Sequence, residues 1–169
     1  MIKTTLKYSV ICGVFLYVLF LLSQQFGTNP FIDLNQLFFD FIIFLLFSYF
    51  SMNEYKKYKN GGYLHFWQGM TIGFLLYVPA IFLFAVILFV HFAIEPGLLE
   101  QYREAAMEYL ESNKATYLDQ FGEKQYESQV EAIENVNQTS LIRTSSLKKI
   151  LVGLFVTPMI SIFLRKKPK

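Results

Sequence analysis

The sequence predicts an all-α, polytopic membrane protein with four transmembrane helices and an extracytoplasmic helical hairpin between the third and the fourth. Three observations predict it. Hydrophobic residues make up 54% of the 169-residue chain and charged residues only 17%, against about 25% charge in an ordinary soluble domain. Four stretches are apolar enough for spans, and most of the acidic residues fall between the last two. A mean hydropathy of +0.36 agrees with apolar surface that meets lipid. The same arithmetic excludes a long disordered chain, a disulfide-built secreted scaffold, since there is one cysteine, and a large multidomain enzyme.

Crossing about 30 Å of hydrocarbon takes about 20 helical residues. The first candidate, 8–23, carries no charge; it is slightly short, and Lys7 can snorkel while Gln24 and Gln25 sit among headgroups. It reads as a retained anchor, because Ser23-Gln24-Gln25-Phe26 is a poor small-x-small cleavage site. Cys12 reads as a buried apolar thiol. The second candidate, 34–52, contains one carboxylate, Asp40. The third, 66–94, is the strongest. The fourth, 150–164, is short and stands between Lys148-Lys149 and Arg165-Lys166-Lys167. The predicted units are therefore 1–95 (helices one to three), 96–147 (acidic insert) and 148–169 (fourth helix and basic tail).

Lys3 and Lys7 precede the first span, Lys56, Lys57 and Lys59 separate the second from the third, and Arg165, Lys166, Lys167 and Lys169 follow the fourth. Positive charge inside then predicts both termini in the cytoplasm. The connection 95–149 faces outward, with Glu95, Glu100, Glu104, Glu108, Glu111, Asp119, Glu123, Glu127, Glu131 and Glu134. The net charge of +2 averages a basic inner face with an acidic outer segment and gives no support for nucleic-acid binding.

Pro96-Gly97 breaks the chain after the third span. Leu98, Leu99, Tyr102, Ala105, Ala106, Tyr109 and Leu110 then recur at helical spacing. A second pattern, Tyr117, Leu118 and Phe121, pauses at Gly122, resumes with Tyr126, Val130 and Ile133, and ends at Asn137-Gln138-Thr139-Ser140. Together they predict a helical hairpin of roughly 40 residues whose apolar stripes pack on each other, on headgroups or on a second protein. Its acidic polar face disfavours plain adsorption to anionic lipid.

In Tyr55-Lys56-Lys57-Tyr58-Lys59-Asn60-Gly61-Gly62-Tyr63 the Asn-Gly step predicts a tight turn before the third helix. The stretch is read as a topology anchor ahead of a headgroup site, and its glycine pair lacks the Walker spacing. Gly69 and Gly73, four apart, would let another helix approach closely, in this chain or in a homodimer. Pro79 and Pro158, with Gly73 and Gly153 upstream, would kink their helices, as around some transport paths. By the topology, Asp40, His91, Glu95, Lys148 and Lys149 fall at a similar level. A carboxylate costs roughly 2.5–3.5 kcal/mol at the centre of a membrane helix and less near its ends, so Asp40 is expected to pair with Lys148 or Lys149. The competing reading is a proton or cation site of Asp40, His91 and Glu95. With His65 and His91 as the only histidines and no H-E-x-x-H, paired-cysteine or G-x-S-x-G pattern, no catalytic residue, metal ligand or cofactor is expected.

The start Ile2-Lys3-Thr4-Thr5-Leu6-Lys7-Tyr8 running into a glycine-containing helix, the basic stretch ending Asn60-Gly61-Gly62-Tyr63 with Phe66 and Gly69 beyond it, the acidic insert and the close Leu164-Arg165-Lys166-Lys167 carry a likeness over nearly the whole chain. On these residues it resembles a family of small bacterial membrane proteins known as domain of unknown function forty-one ninety-nine. The resemblance implies four membrane helices and a Gram-negative inner-membrane location, and it implies no activity. The leading expectation is a non-enzymatic, multi-pass structural or interaction protein, whose partners are the lipid bilayer and a second copy or another membrane protein. A small transporter or channel component comes second, and a lipid-handling membrane enzyme third.

Overall fold

The computed structural model describes residues 1–166; Lys167 and Lys169 of the predicted basic tail lie outside the described residues. Among the described residues the helices are α1 (Ile2–Gln25), α2 (Asn35–Lys59), α3 (Phe66–Ile94), α4 (Leu98–Ser112), α5 (Lys114–Phe121), α6 (Glu123–Glu134) and α7 (Gln138–Leu164), with no strand. α1, α2, α3 and α7 are each long and apolar enough to cross a membrane. They form a four-helix bundle in which α3 packs between α1 and α7, and α2 closes the ring between α7 and α1.

The bundle is apolar on the outside and partly polar within. Val10, Val14 and Val18 on α1, Phe38, Ile42 and Leu46 on α2, Phe74, Val78 and Phe82 on α3, and Leu151, Phe155 and Met159 on α7 are exposed. Thr5, Ser9, Gln36, Asp40, Ser48, Ser51, Lys149, Thr157 and Ser161 are buried. Lipid has no hydrogen bonds to offer, so polar side chains turn inward and apolar ones outward.

Small residues let the helices close. A Cβ on Gly69 would stand 2.6 Å from Ser161 Oγ, one on Gly73 would collide with Thr157, and one on Gly153 would stand 2.7 Å from the Tyr77 ring. The close approach offered by Gly69 and Gly73 is therefore taken up inside the chain by α7, which removes this stripe from the surfaces open to a second copy. α3 and α7 run on through Pro79 and Pro158. Pro79 has no amide to donate into the preceding turn, and nearby the Ser9 hydroxyl donates to the Leu76 carbonyl at 2.8 Å. A hydroxyl from a neighbouring helix is a usual remedy for backbone loosened by proline in a membrane helix.

The turn after α2 places Gly61 at φ 58° and Gly62 at φ 83°, which residues with a Cβ rarely adopt. It returns the Gly62 amide to the Lys56 carbonyl at 2.8 Å. The chain end is tied to this turn, because Leu64 and Lys166 exchange backbone hydrogen bonds at 3.0 and 2.9 Å and Lys56 Nζ donates to the Leu164 carbonyl at 2.9 Å.

Two boundaries differ from the sequence reading. α7 starts at Gln138, so position 148 falls well inside it. The second pattern does stop just before Asn137-Gln138-Thr139-Ser140, since α6 ends at Glu134, but that stretch opens the next helix: Asn137 caps α7, its Oδ1 accepting from the Ser140 amide at 2.9 Å while the Asn137 amide donates to Ser140 Oγ at 3.2 Å, a reciprocal cap. The insert also has three helices instead of two, since Gly122 takes φ 80° between α5 and α6. Its stripes meet in a small core of Ala106, Leu110 and Ile133, flanked by Tyr117, Tyr126 and Val130.

Candidate functional site

The most polar place in the bundle is where α2 meets α7. Asp40 and Lys149 are 1% and 2% exposed and form an ion pair, Lys149 Nζ standing 2.6 Å from Asp40 Oδ2. The ammonium also lies 4.6 Å from the Phe84 ring centroid, where the negative face of the ring offsets part of its desolvation. Gln36, one turn before Asp40, brings its amide to 3.5 Å from Asp40 Oδ1 and accepts from Ser23 Oγ at 2.9 Å. A carboxylate and an ammonium taken out of water lose several kcal/mol of hydration each, which their mutual attraction returns only at close range with further hydrogen bonds.

A cavity of about 130 Å³ adjoins the pair, lined by Asp40, Lys149, Gln36, Tyr102, Ser140 and Thr144 among others. Its size and polar walls suit several waters. Lys148 reaches it too but does not share Asp40; Nζ donates to the Phe31 carbonyl at 3.0 Å. Neighbouring residues on a helix point about 100° apart, so one faces the bundle core and the other the loop before α2.

His91 and Glu95 form a separate group. Tyr17 Oη lies 2.8 Å from His91 Nδ1, and His91 Nε2 lies 3.3 Å from Glu95 Oε2. Phe20 stands between the groups, its ring 6.3 Å from His91 and 6.2 Å from Phe84. The five polar residues singled out in the sequence are thus divided. Asp40 and Lys149 come together, Lys148 borders the same cavity, and His91 with Glu95 lies beyond an aromatic wall. The cavity lining includes neither Pro79 nor Pro158. Among the described residues no group of three or more His, Cys, Asp or Glu is arranged to hold a metal ion.

Tyr17 and Gln36 complete these two groups and were not singled out in the sequence. Gln36 had a signal, since it precedes Asp40 by four residues in a helix. Tyr17 had none, because its partner is 74 residues away.

The insert sits on the loop between α1 and α2. Tyr102 meets Phe31 edge-on at 5.8 Å between ring centroids, Ile32 joins the small core of the insert, and burial pushes the Tyr102 phenol above its ordinary pKa. Arg103 anchors the other end, donating to the Val136 carbonyl at 3.0 Å and pairing with Glu100 at 3.1 Å. Glu104, Glu108, Glu111, Glu127, Glu131 and Glu134 are left exposed.

No curated protein and no solved structure matches the chain. The family described as Protein of unknown function (DUF4199) matches residues 7–166, which takes in most of α1, all of α2, α3 and α7, the insert and the buried pair, and the chain belongs to that family.

Proposed function

We propose that the chain is a multi-pass protein of a bacterial inner membrane, with both termini in the cytoplasm and the insert outside, and that it works without catalysis, as an interaction protein presenting an acidic surface to a partner. The observation that carries this reading is the division of the insert. Its apolar stripes meet mainly in its own core and on the loop at Phe31 and Ile32, with Tyr109 and Phe121 left exposed, and much of the remaining surface is a field of exposed glutamates. A field of one sign steers and selects a partner of the other sign. The orientation is supported by Lys56, Lys57 and Lys59 at one end of the bundle and the acidic insert at the other.

Two measurements test it. In a Cys12→Ala background, single cysteines at Ser112 and Asn60 are exposed to a membrane-impermeant maleimide in intact spheroplasts. Labelling at Ser112 alone is expected, and labelling at Asn60 alone overturns the orientation. A photo-crosslinker at Glu108 is expected to form a discrete adduct that disappears when Glu104, Glu111 and Glu131 are changed to lysine. An adduct indifferent to that reversal would remove the acidic surface from the interaction.

A second reading, a small transporter or channel component, is favoured by one observation, the buried Asp40–Lys149 pair beside a polar cavity. An ion path would need Asp40 to exchange partners during function. A protein that keeps its role after both members are replaced by apolar residues excludes this reading.

A further inference from the structure

We propose that the groove between the insert and α7 binds an amphipathic monoanion, its charged head on Lys148 and its apolar body among Tyr102, Tyr109, Leu110, Tyr117 and Ile133. The groove measures about 350 Å³, within the range of small-molecule sites, about 300–1,000 Å³. Its walls are the make-up such sites have, mostly apolar and aromatic side chains with a few polar groups. Lys148 is the single charged residue in the lining, and Asn113 and Gln129 supply amides.

The charge accounting gives the sign of the ligand. Lys149 is neutralised by Asp40. Lys148 is not; among the described residues no carboxylate lies within 4.0 Å of its Nζ. An ammonium has three donors, and one is used on the Phe31 carbonyl. Two N–H groups and a whole positive charge remain on a half-buried side chain, at the point where the groove meets the smaller cavity. Asp33 lines the smaller cavity but not the groove, and its Oδ1 accepts from the Asn35 amide at 2.8 Å.

The walls give the rest of the ligand. Inorganic anions have nothing to place against Tyr109, Leu110 and Ile133, whereas an acyl or aromatic body fills that space and brings one carboxylate or phosphodiester to Lys148. Such a head can belong to a free carboxylic acid or to a single-chain phospholipid. The site does not depend on which side of the membrane the insert occupies.

The test uses the full chain in nanodiscs of zwitterionic lipid, with empty nanodiscs as reference. The probes are carboxyl-labelled decanoate, decanol as its neutral match, and lysophosphatidylglycerol. Decanoate is expected to bind at least about tenfold more tightly than decanol, as a hydrogen bond to a charged group implies. Lys148→Met is expected to lose that preference while still taking decanol, and Lys148→Arg to keep it. Should Lys148→Met fail to take decanol as well, Tyr109→Glu decides, because a negative charge in the groove must weaken decanoate more than decanol. Displacement of decanoate by lysophosphatidylglycerol assigns the head to a phospholipid, and its failure to displace assigns it to a free carboxylate; both keep the proposal. Decanoate bound no better than decanol, or equally well by the protein with and without Lys148, overturns it.

Discussion

The bundle and the insert are built from the same secondary structure and are both mainly apolar within, but they turn opposite surfaces outward. In the bundle, Asp40, Lys149, Ser51 and Ser161 are inside and Phe82, Phe155 and Phe163 outside. In the insert, Leu110 and Ile133 are inside and the glutamates outside. Each helix puts toward its surroundings what those surroundings solvate, hydrocarbon in one case and water in the other. The difference teaches where stability resides. The bundle depends on a large, closely fitted apolar interior with a few buried polar contacts set into it, and the insert on a small apolar core.

The strongest way to break the comparison is to unpair the buried charge. Asp40→Leu or Lys149→Met alone is expected to destabilise the bundle by about 3–5 kcal/mol, because a lone buried charge is left behind. The paired replacement Asp40→Leu/Lys149→Met is expected to return most of that loss. Unfolding of the three variants in nanodiscs measures both quantities, and a double variant as unstable as the singles would mean that the pair does more than neutralise itself.

A smaller and more local effect is expected in the insert. Leu110→Ala removes a buried side chain from a core of few members and should cost about 2–5 kcal/mol, confined to α4, α5 and α6. Amide exchange checks the confinement: protection should fall in the insert and hold in α1, α2 and α3. Protection lost equally in both regions would show that insert and bundle fold as one unit.

The smallest effect sharpens the boundary between them. Asn137→Ala removes the cap of α7 and should cost about 1 kcal/mol, seen as faster exchange in the first turn of α7 and little change in the overall melting temperature. Fraying that spreads to Lys149 would mean that the cap also holds the ion pair in place.

Much of this was legible in the sequence because hydrocarbon is a demanding solvent. An uninterrupted run such as 66–94 has few alternatives, and α3 begins and ends where the composition says. Ends were less legible where a helix continues out of lipid. The first three turns of α7 are polar and look like a loop, and only the reciprocal cap of Asn137 and Ser140 marks the true start. A partner for Asp40 was legible as a lysine of the Lys148-Lys149 pair, since a membrane carboxylate needs one, but which lysine depends on the rotation of α7 about its axis. The rotation is set in part by Gly153 against Tyr77 and by Thr157 against Gly73, contacts between residues far apart in sequence. For the same reason the separation of His91 from Asp40 was not legible. Level along the membrane normal can be read from topology, and the angle around the bundle cannot. The groove beside Lys148 was not legible either, because its walls come from α4, α5, α6, α7 and the loop before α2.

The ion pair joins residues 109 positions apart, and its second member lies on α7. During synthesis Asp40 therefore emerges long before Lys149. At about 5–20 residues per second the wait is roughly 5–20 s, through which α2 holds a carboxylate with no lysine to meet it. Until α7 arrives, that group has to be kept against water or the insertion machinery, so a nascent chain stalled before α7 carries an open polar defect. Arrival of α7 closes the defect and ties Lys166 to Leu64 at the other end. The pair thus forms only once synthesis has passed Lys149 and α7 has packed against α2.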